Sequence, residues 1–312
     1  MPRLRPLLLG ALAVLAACGE RPKTPFDGEQ AYRYIATQMN FGPRVPGSDG
    51  HRRMGEWLVD QMRERADSVI VQDWTHVTAA GDSLPMRNVL ARFRPEIPGR
   101  VLYLAHWDTR PVSENSPDSA RRLLPVPGAN DGASGTAILL ALADLFQKAP
   151  PAYGVDLLFV DGEDYGDFDA DSGRGVDVFI GSRHFAANLP TPDYRPLFGV
   201  LWDMVGDEQL AIHQEAISVR RAPEVVARVW ETAREMGYDE YFIPEVRYTV
   251  KDDHVPLLDR GLRVAVVIDI EYTCQGASCQ PNYHHTQDDT IDKVSARSLQ
   301  IVGDVAARLV MP

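Results

Sequence analysis

Apolar positions along the chain follow two patterns, one typical of buried strands and one of amphipathic helices. Short continuous apolar runs bounded by turn residues predict strands, as in VLYLA over residues 101–105. Apolar residues at helical spacing predict helices, as at Ala31, Ile35 and Met39. The predicted strands cover residues 69–77, 86–93, 101–105, 155–160, 197–205 and 262–270, and the predicted helices cover residues 27–39, 52–65, 130–146, 181–188, 223–236, 253–260 and 292–309.

The order of these elements predicts an α/β fold. Apolar strands that alternate with helices favour a mostly parallel sheet with helices on both of its faces. We therefore expect a single-domain, three-layer αβα sandwich with a mixed, mostly parallel central sheet, and no linker inside residues 26–312. In such sheets the ligand lies beyond the carboxyl ends of the strands, so chemistry is expected there.

Composition and net charge limit the expected binding partners but do not distinguish one fold from another. The 312 residues are 45% hydrophobic and 24% charged, which is ordinary for a globular chain. The formal net charge is −12, whereas binding to phosphates requires a basic face. Nucleic acid is therefore not an expected partner.

The first residues predict export and a lipid anchor. Two arginines precede a short apolar run, which is too short for a bilayer core of about 30 Å and is typical of a signal peptide over residues 1–17. The small residues before Cys18 resemble a bacterial lipobox, so residues 18–25 are expected to form a lipidated tether. The alternative is an ordinary signal peptide with a chance cysteine. The predicted location is the bacterial cell envelope, on the periplasmic face of a membrane and attached only through Cys18.

Two further cysteines, Cys274 and Cys279, lie close together in the sequence. In an oxidising compartment they can close a small loop as a disulfide. Metal ligation is the alternative, although no histidine pattern of the zinc-ribbon kind accompanies the pair.

The predicted strand ends carry residues that suit a divalent metal. His106 and Asp108 follow the strand over 101–105, and Asp131 stands at the start of the helix over 130–146. Zinc accepts imidazole nitrogen and carboxylate oxygen, and a catalytic zinc site leaves one position open for water or substrate. These residues therefore predict one side of a zinc centre.

Glu163 and Asp164 follow another apolar strand, over residues 155–160. Two consecutive carboxylates at a tight turn can point in different directions, so one can bind a metal while its neighbour acts as a general base. The alternative is a solvated acidic turn, because the segment that starts at Asp161 is rich in acid.

At three more places in the sequence, the residues have both a functional and a structural interpretation. Asp203 lies in an apolar strand, where its charge must be compensated by a metal, a shared proton or a buried arginine. Asp252 and Asp253 open a predicted helix, either as capping residues or as a carboxylate that shares a proton with the base. His284 and His285 are either exposed loop residues or the source of one metal ligand.

These stretches together resemble the zinc family that joins aminopeptidases to glutaminyl-peptide cyclotransferases. The resemblance is greatest to bacterial cyclotransferases built on the fold of the animal enzyme. Each stretch is weak alone, but their ordered set is highly specific. In order over roughly residues 40–310, the matching stretches are FGPRVPGS from Phe41, AHWDTRP from Ala105, PGANDGASG from Pro127, FVDGEDYG from Phe159, GSRHFA from Gly181, LWDMVG from Leu201, DDHVP from Asp252 and HTQDD from His285.

The resemblance implies a role for each matching residue. It implies that Asp131, Asp164 and His285 bind a catalytic zinc, and that Glu163 is the general base and acid. It also implies that Asp203 and Asp253 form a carboxylate hydrogen-bond relay beside the base. His106 and Asp203 match the positions that hold a second metal in the aminopeptidases. One departure is that His284 stands where many cyclotransferases have a tryptophan that lines the substrate pocket.

Three functions follow as hypotheses. The first is a zinc-dependent glutaminyl-peptide cyclotransferase, an acyltransferase that uses one zinc to convert N-terminal glutamine to pyroglutamate with release of ammonia. The second is an aminopeptidase that uses two zinc ions to hydrolyse N-terminal residues. The third is a non-catalytic lipoprotein on the same fold. In the first two, the partners are the N-termini of peptides or proteins, and the oligomeric state is left open.

Overall fold

The structure is a computed structural model that describes residues 24–170, 175–270 and 282–312. The predicted signal peptide, Cys18 and the Cys274–Cys279 pair lie outside the described residues, so lipid attachment and the disulfide stay predictions. Within those three ranges, no helix is long and apolar enough to cross a membrane.

A six-stranded mixed sheet forms the centre of the fold. The described strands are β1 (Ser68–Val77), β2 (Ser83–Phe93), β3 (Arg100–His106), β4 (Gly154–Val160), β5 (Phe198–Asp203), β6 (Ile212–Glu215), β7 (Phe242–Tyr248) and β8 (Val264–Ile268). The order in the central sheet is β1-β2-β4-β3-β5-β8, with antiparallel pairing between β1, β2 and β4 and parallel pairing between β4, β3, β5 and β8. The strands β6 and β7 form a separate two-stranded sheet.

Helices cover both faces of this sheet. They are α1 (Gly28–Met39), α2 (Asp49–Arg65), α3 (Ala133–Lys148), α4 (Ile180–Ala187), α5 (Ala216–Arg221), α6 (Pro223–Glu235), α7 (His254–Asp259) and α8 (Ala296–Arg308). Alternate residues of β3 point to opposite faces. Tyr103 belongs to the core that includes residues of α1, α3 and α8, and Leu104 belongs to a separate core with Phe185 of α4 and Leu257 of α7. The predicted αβα sandwich with a mixed, mostly parallel sheet is confirmed.

Burial of the inner strands explains why their sequences are mostly apolar. Every residue of β3, β4, β5 and β8 is buried, since helices pack on both faces. The small parallel sheet of β6 and β7 and the short helix α5 were not predicted from the sequence. β7 is largely exposed and its register against β6 is irregular, so it carries no clear apolar alternation.

Candidate active site and metal centre

Asp131 lies in a tight turn just before α3. Gly132 adopts φ +88°, and an added Cβ there would lie 2.4 Å from the carbonyl oxygen of Asp108, so only glycine fits. Asp289 accepts hydrogen bonds from the backbone N–H groups of Asn130 and Asp131 at 2.8 and 3.1 Å. The buried Arg44 donates to the carbonyls of residues 127 and 128 and ties down the preceding loop. These contacts fix where the Asp131 carboxylate points.

The two oxygens of Asp131 face two donor clusters. Asp131 Oδ1 lies 3.1 Å from His106 Nε2, which lies 3.1 Å from Asp203 Oδ1. On the other side, Asp131 Oδ2 lies 3.6 Å from His285 Nε2, which lies 3.2 Å from Asp164 Oδ1. Asp131 is therefore shared between a cluster with His106 and Asp203 and a cluster with Asp164 and His285.

In both clusters the separations from the imidazole nitrogen to the two carboxylates match those of a zinc site, and the three donors of the His106 cluster also lie within 4.8 Å of one another. With bonds of about 2.0–2.1 Å, donor atoms around a tetrahedral zinc lie about 3.3–3.4 Å apart, close to the 3.1–3.6 Å separations found here. Asp164 Oδ2 is buried and has no hydrogen-bond partner within the described residues. A buried carboxylate oxygen is rarely left unpaired, so this atom fits a cation ligand. The residues present therefore fit zinc in one or both clusters.

The charges around the clusters also favour a cation. Burial raises the pKa values of Asp164, Asp203 and Asp252, and neighbouring carboxylates add to the effect. Burial, and then the charge of Asp252, raises the pKa of Glu163 well above its usual range. Several buried carboxylates in one place are costly without positive charge, and a divalent ion supplies it.

The structure brings the predicted site residues together, and it does not support the alternatives of a solvated acidic turn and of an arginine partner for Asp203. Glu163 and Asp164 are buried, not a solvated turn, and Asp203 pairs with His106 rather than with an arginine. A cavity of about 430 Å³ lies against them and is lined by Asp131, Glu163, Asp203, His284 and His285 among others.

The Asp252–Asp253 pair differs from the implied relay. Asp252 lines the cavity with Glu163, whereas Asp253 is buried behind it and accepts a hydrogen bond from Ser182 Oγ at 2.5 Å. Asp253 stands at the N-cap position of α7 but makes no capping hydrogen bond with its side chain. The carboxylate at the cavity, next to the base, is therefore Asp252.

Residues around the clusters orient the ligands. The Asp108 carboxylate accepts hydrogen bonds from the backbone N–H groups of Glu163 and Asp164 at 3.1 and 3.2 Å, and so fixes their turn. Its Oδ1 also lies 3.5 Å from His106 Nδ1. Asp108 thus fixes the backbone of the base and of one ligand, and its carboxylate lies beside the ring of His106.

A second orienting pair, Arg110 and Glu114, was not among the site residues predicted from the sequence. Glu114 Oε1 lies 3.1 Å from His285 Nδ1, so Nδ1–H can donate to it and leave the Nε2 lone pair for a metal. Arg110 donates to Glu114 at 2.6 Å and to Asp164 Oδ1 at 3.1 Å. Although burial opposes both shifts, the Asp164 charge and Glu114 raise the pKa of His285 to about 10, and His285 lowers that of Glu114 to about 2.

Replacing Glu114 with alanine is expected to weaken zinc binding by roughly 10–100-fold, because His285 loses the partner that fixes its ring. The measurement is a zinc titration in competition with a chromophoric chelator. Glu56→Ala, on the exposed face of α2, is the control and should leave affinity unchanged. An unaltered zinc affinity in Glu114→Ala would show that the ring needs no such partner.

An αβα sandwich that holds two carboxylate–imidazole clusters around one shared aspartate, beyond the ends of its parallel strands, defines a class of zinc-dependent enzymes. The chain belongs to peptidase family M28, which matches residues 88–310.

Known proteins similar to the chain carry two kinds of description. A glutaminyl cyclase structure from Bacteroides thetaiotaomicron is 32% identical, with a TM-score of 0.85 over 93% of this chain and 99% of that one. A Zn-dependent exopeptidase structure from Parabacteroides distasonis is 33% identical, with a TM-score of 0.83 over 92% of this chain and 97% of that one. Aminopeptidase YwaD of Bacillus subtilis is 25% identical over 91% of this chain and 57% of its own length.

The chain spans about half the length of the first curated relatives it matches. Relatives of both descriptions share its fold, so similarity supports a zinc-dependent enzyme of family M28 without selecting the reaction.

Proposed function

We propose that the chain is a glutaminyl-peptide cyclotransferase that converts N-terminal glutamine to pyroglutamate. The observation that carries the proposal is the position of Glu163 and Asp252 at the wall of one small cavity, beside the cluster of Asp131, Asp164 and His285. The full-length similarity to bacterial glutaminyl cyclases supports it. Cyclisation needs a group that both accepts and returns a proton, and paired carboxylates in a buried pocket suit that task.

The reaction is an intramolecular acyl transfer. Zinc bound by Asp131, Asp164 and His285 would supply a Lewis acid for the γ-amide carbonyl oxygen of the substrate. Glu163 removes a proton from the α-amine as its nitrogen bonds to the carbonyl carbon of the side-chain amide, Cδ of the glutamine. Glu163 then returns the proton to the amide nitrogen as the carbon–nitrogen bond breaks, and ammonia leaves. Asp252, beside Glu163, shares the proton during these steps.

A compact cavity helps because the reaction joins two ends of one residue. If the cavity holds the glutamine side chain folded, binding already meets the entropic cost of bringing the amine to the amide. That cost is a large part of the activation barrier of such reactions. Because the α-amine is the nucleophile, no water has to be activated, and one zinc is sufficient.

The second candidate function, a two-zinc aminopeptidase, is favoured by the other cluster. His106 Nε2 lies 3.1 Å from both Asp131 Oδ1 and Asp203 Oδ1, so the residues for a second metal are already assembled. With two metals that share Asp131, Glu163 would deprotonate a water molecule that attacks the peptide carbonyl.

One zinc-quantified sample, assayed on two substrates, separates these candidates. We expect ammonia release from a Gln-peptide, no cleavage of aminoacyl reporters, and one tightly bound zinc per chain. Cleavage of aminoacyl reporters with two tightly bound zinc ions would instead establish the aminopeptidase. A zinc-loaded protein inactive on both substrates would favour the non-catalytic hypothesis.

A further inference from the structure

His284 has no role in the reaction described above, yet its imidazole faces the same Asp131 oxygen as that of His285. His284 Nε2 lies 3.7 Å from Asp131 Oδ2, almost the same as the 3.6 Å from His285 Nε2 to that oxygen. Asp131, His284 and His285 offer three donor atoms that all lie within 4.8 Å of one another, as do His106, Asp131 and Asp203. The His284 imidazole is therefore positioned to bind the same metal ion as Asp131 and His285.

The backbone explains how two consecutive side chains reach one point. In an extended chain, neighbouring side chains point to opposite sides, but His285 adopts φ +54° and the two rings lie 3.7 Å apart between centroids. Asn115 binds the carbonyls of both histidines at 3.2 Å, and Asn282 accepts from the His284 N–H at 2.9 Å. Contacts from Asn115 and Asn282 thus fix the backbone of both histidines, and both Nε2 atoms lie within 3.7 Å of Asp131 Oδ2.

We propose that His284 is an exchangeable fourth protein ligand of the zinc centre formed by Asp131, Asp164 and His285. Four protein ligands close a zinc site, whereas a catalytic site must offer a position to substrate. The His284 side chain lines the cavity and is 22% exposed, while that of His285 is 10% exposed. His284 can therefore hold the fourth position in the empty enzyme and yield it when a substrate carbonyl enters.

The inference rests on the proposed zinc centre but not on which reaction the enzyme performs. In the empty enzyme, His284 would strengthen zinc binding and keep water from the fourth position. On substrate binding, only its side chain has to move, since the backbone carbonyl of His284 stays bound to Asn115.

The test compares wild type with His284→Phe, which keeps a ring against His285 but has no donor nitrogen. Zinc affinity is measured by chelator competition, and the number of imidazoles per zinc is measured by X-ray absorption at one equivalent of zinc. His184→Phe is the matched control, because His184 stacks on Trp74 at 3.8 Å and lies outside both clusters. Circular dichroism checks folding, and His284→Ala serves as a second variant without a donor.

We expect His284→Phe to bind zinc at least about tenfold more weakly, since even loss of an outer partner of a ligand costs roughly 10–100-fold. The imidazole count should fall from two to one, and His184→Phe should change neither quantity. Equal zinc affinity and equal imidazole counts in wild type and His284→Phe would overturn the role of His284 while leaving the zinc centre intact. Wild-type protein that binds no zinc would overturn the centre itself.

Discussion

Glu163→Gln is expected to lower the rate of catalysis by about 10²–10⁴-fold, the usual contribution of a positioned general acid–base, while zinc stays bound. Glu163 is buried at the cavity wall and belongs to neither donor cluster formed by the described residues. Glutamine has nearly the same shape, so the change removes proton transfer and little else. Initial rates on a Gln-peptide and zinc content by elemental analysis measure the two effects on one sample.

The control for Glu163→Gln is the same substitution at the exposed Glu245 on β7, which should leave the rate unchanged. A variant at Glu163 that keeps its zinc and retains activity within a fewfold of wild type would refute the role as base. Loss of zinc together with activity would instead make Glu163 a ligand, which also contradicts the assignment.

Asp131→Ala is expected to abolish zinc binding and activity together, because Asp131 is the one donor that both clusters share. Removal of zinc from wild type should also lower the melting temperature, since the buried carboxylates lose their counter-charge. At zinc about 100-fold above its dissociation constant, binding contributes about 2.7 kcal/mol, which corresponds to an upward shift of the melting temperature of about 4 °C for a chain of this length. Calorimetry with and without a chelator measures this shift.

Asp131→Ala should show no shift with the chelator, whereas Asp60→Ala on the exposed face of α2 should behave like wild type. A chelator-dependent shift that survives in Asp131→Ala would mean that zinc binds elsewhere. An Asp131→Ala enzyme that remains active would contradict both proposed reactions, since each depends on the same carboxylate.

The choice between the two reactions depends on how many metals the clusters hold. One zinc with Asp131, Asp164 and His285 is enough for an attack by the substrate's own amine. A second zinc with His106 and Asp203 would serve an attacking water. Each cluster pairs an imidazole with Asp131 and one further carboxylate. The number of metals is therefore decided by the zinc affinity of each cluster, which the titrations above measure directly.

The amino-acid sequence determined the layered fold and the kinds of donor. Strands buried on both faces must be mostly apolar, so polar residues collect at and beyond their ends, and this rule predicted His106, Glu163 and Asp164 as site residues. Asp203 was found because a carboxylate in an apolar strand requires a partner. These features are local, and a pattern along the chain is enough to predict them.

The tertiary structure alone determined the side-chain directions at turns and the contacts between distant loops. The turn into α7 sends Asp252 to the cavity and Asp253 to Ser182, although the two residues are chemically identical. Glu114 reaches His285 from a loop 171 residues away in sequence, where a charged residue has no distinguishing pattern. Side-chain direction at a turn and contacts between remote segments are set by packing of the whole chain, so no local pattern reveals them.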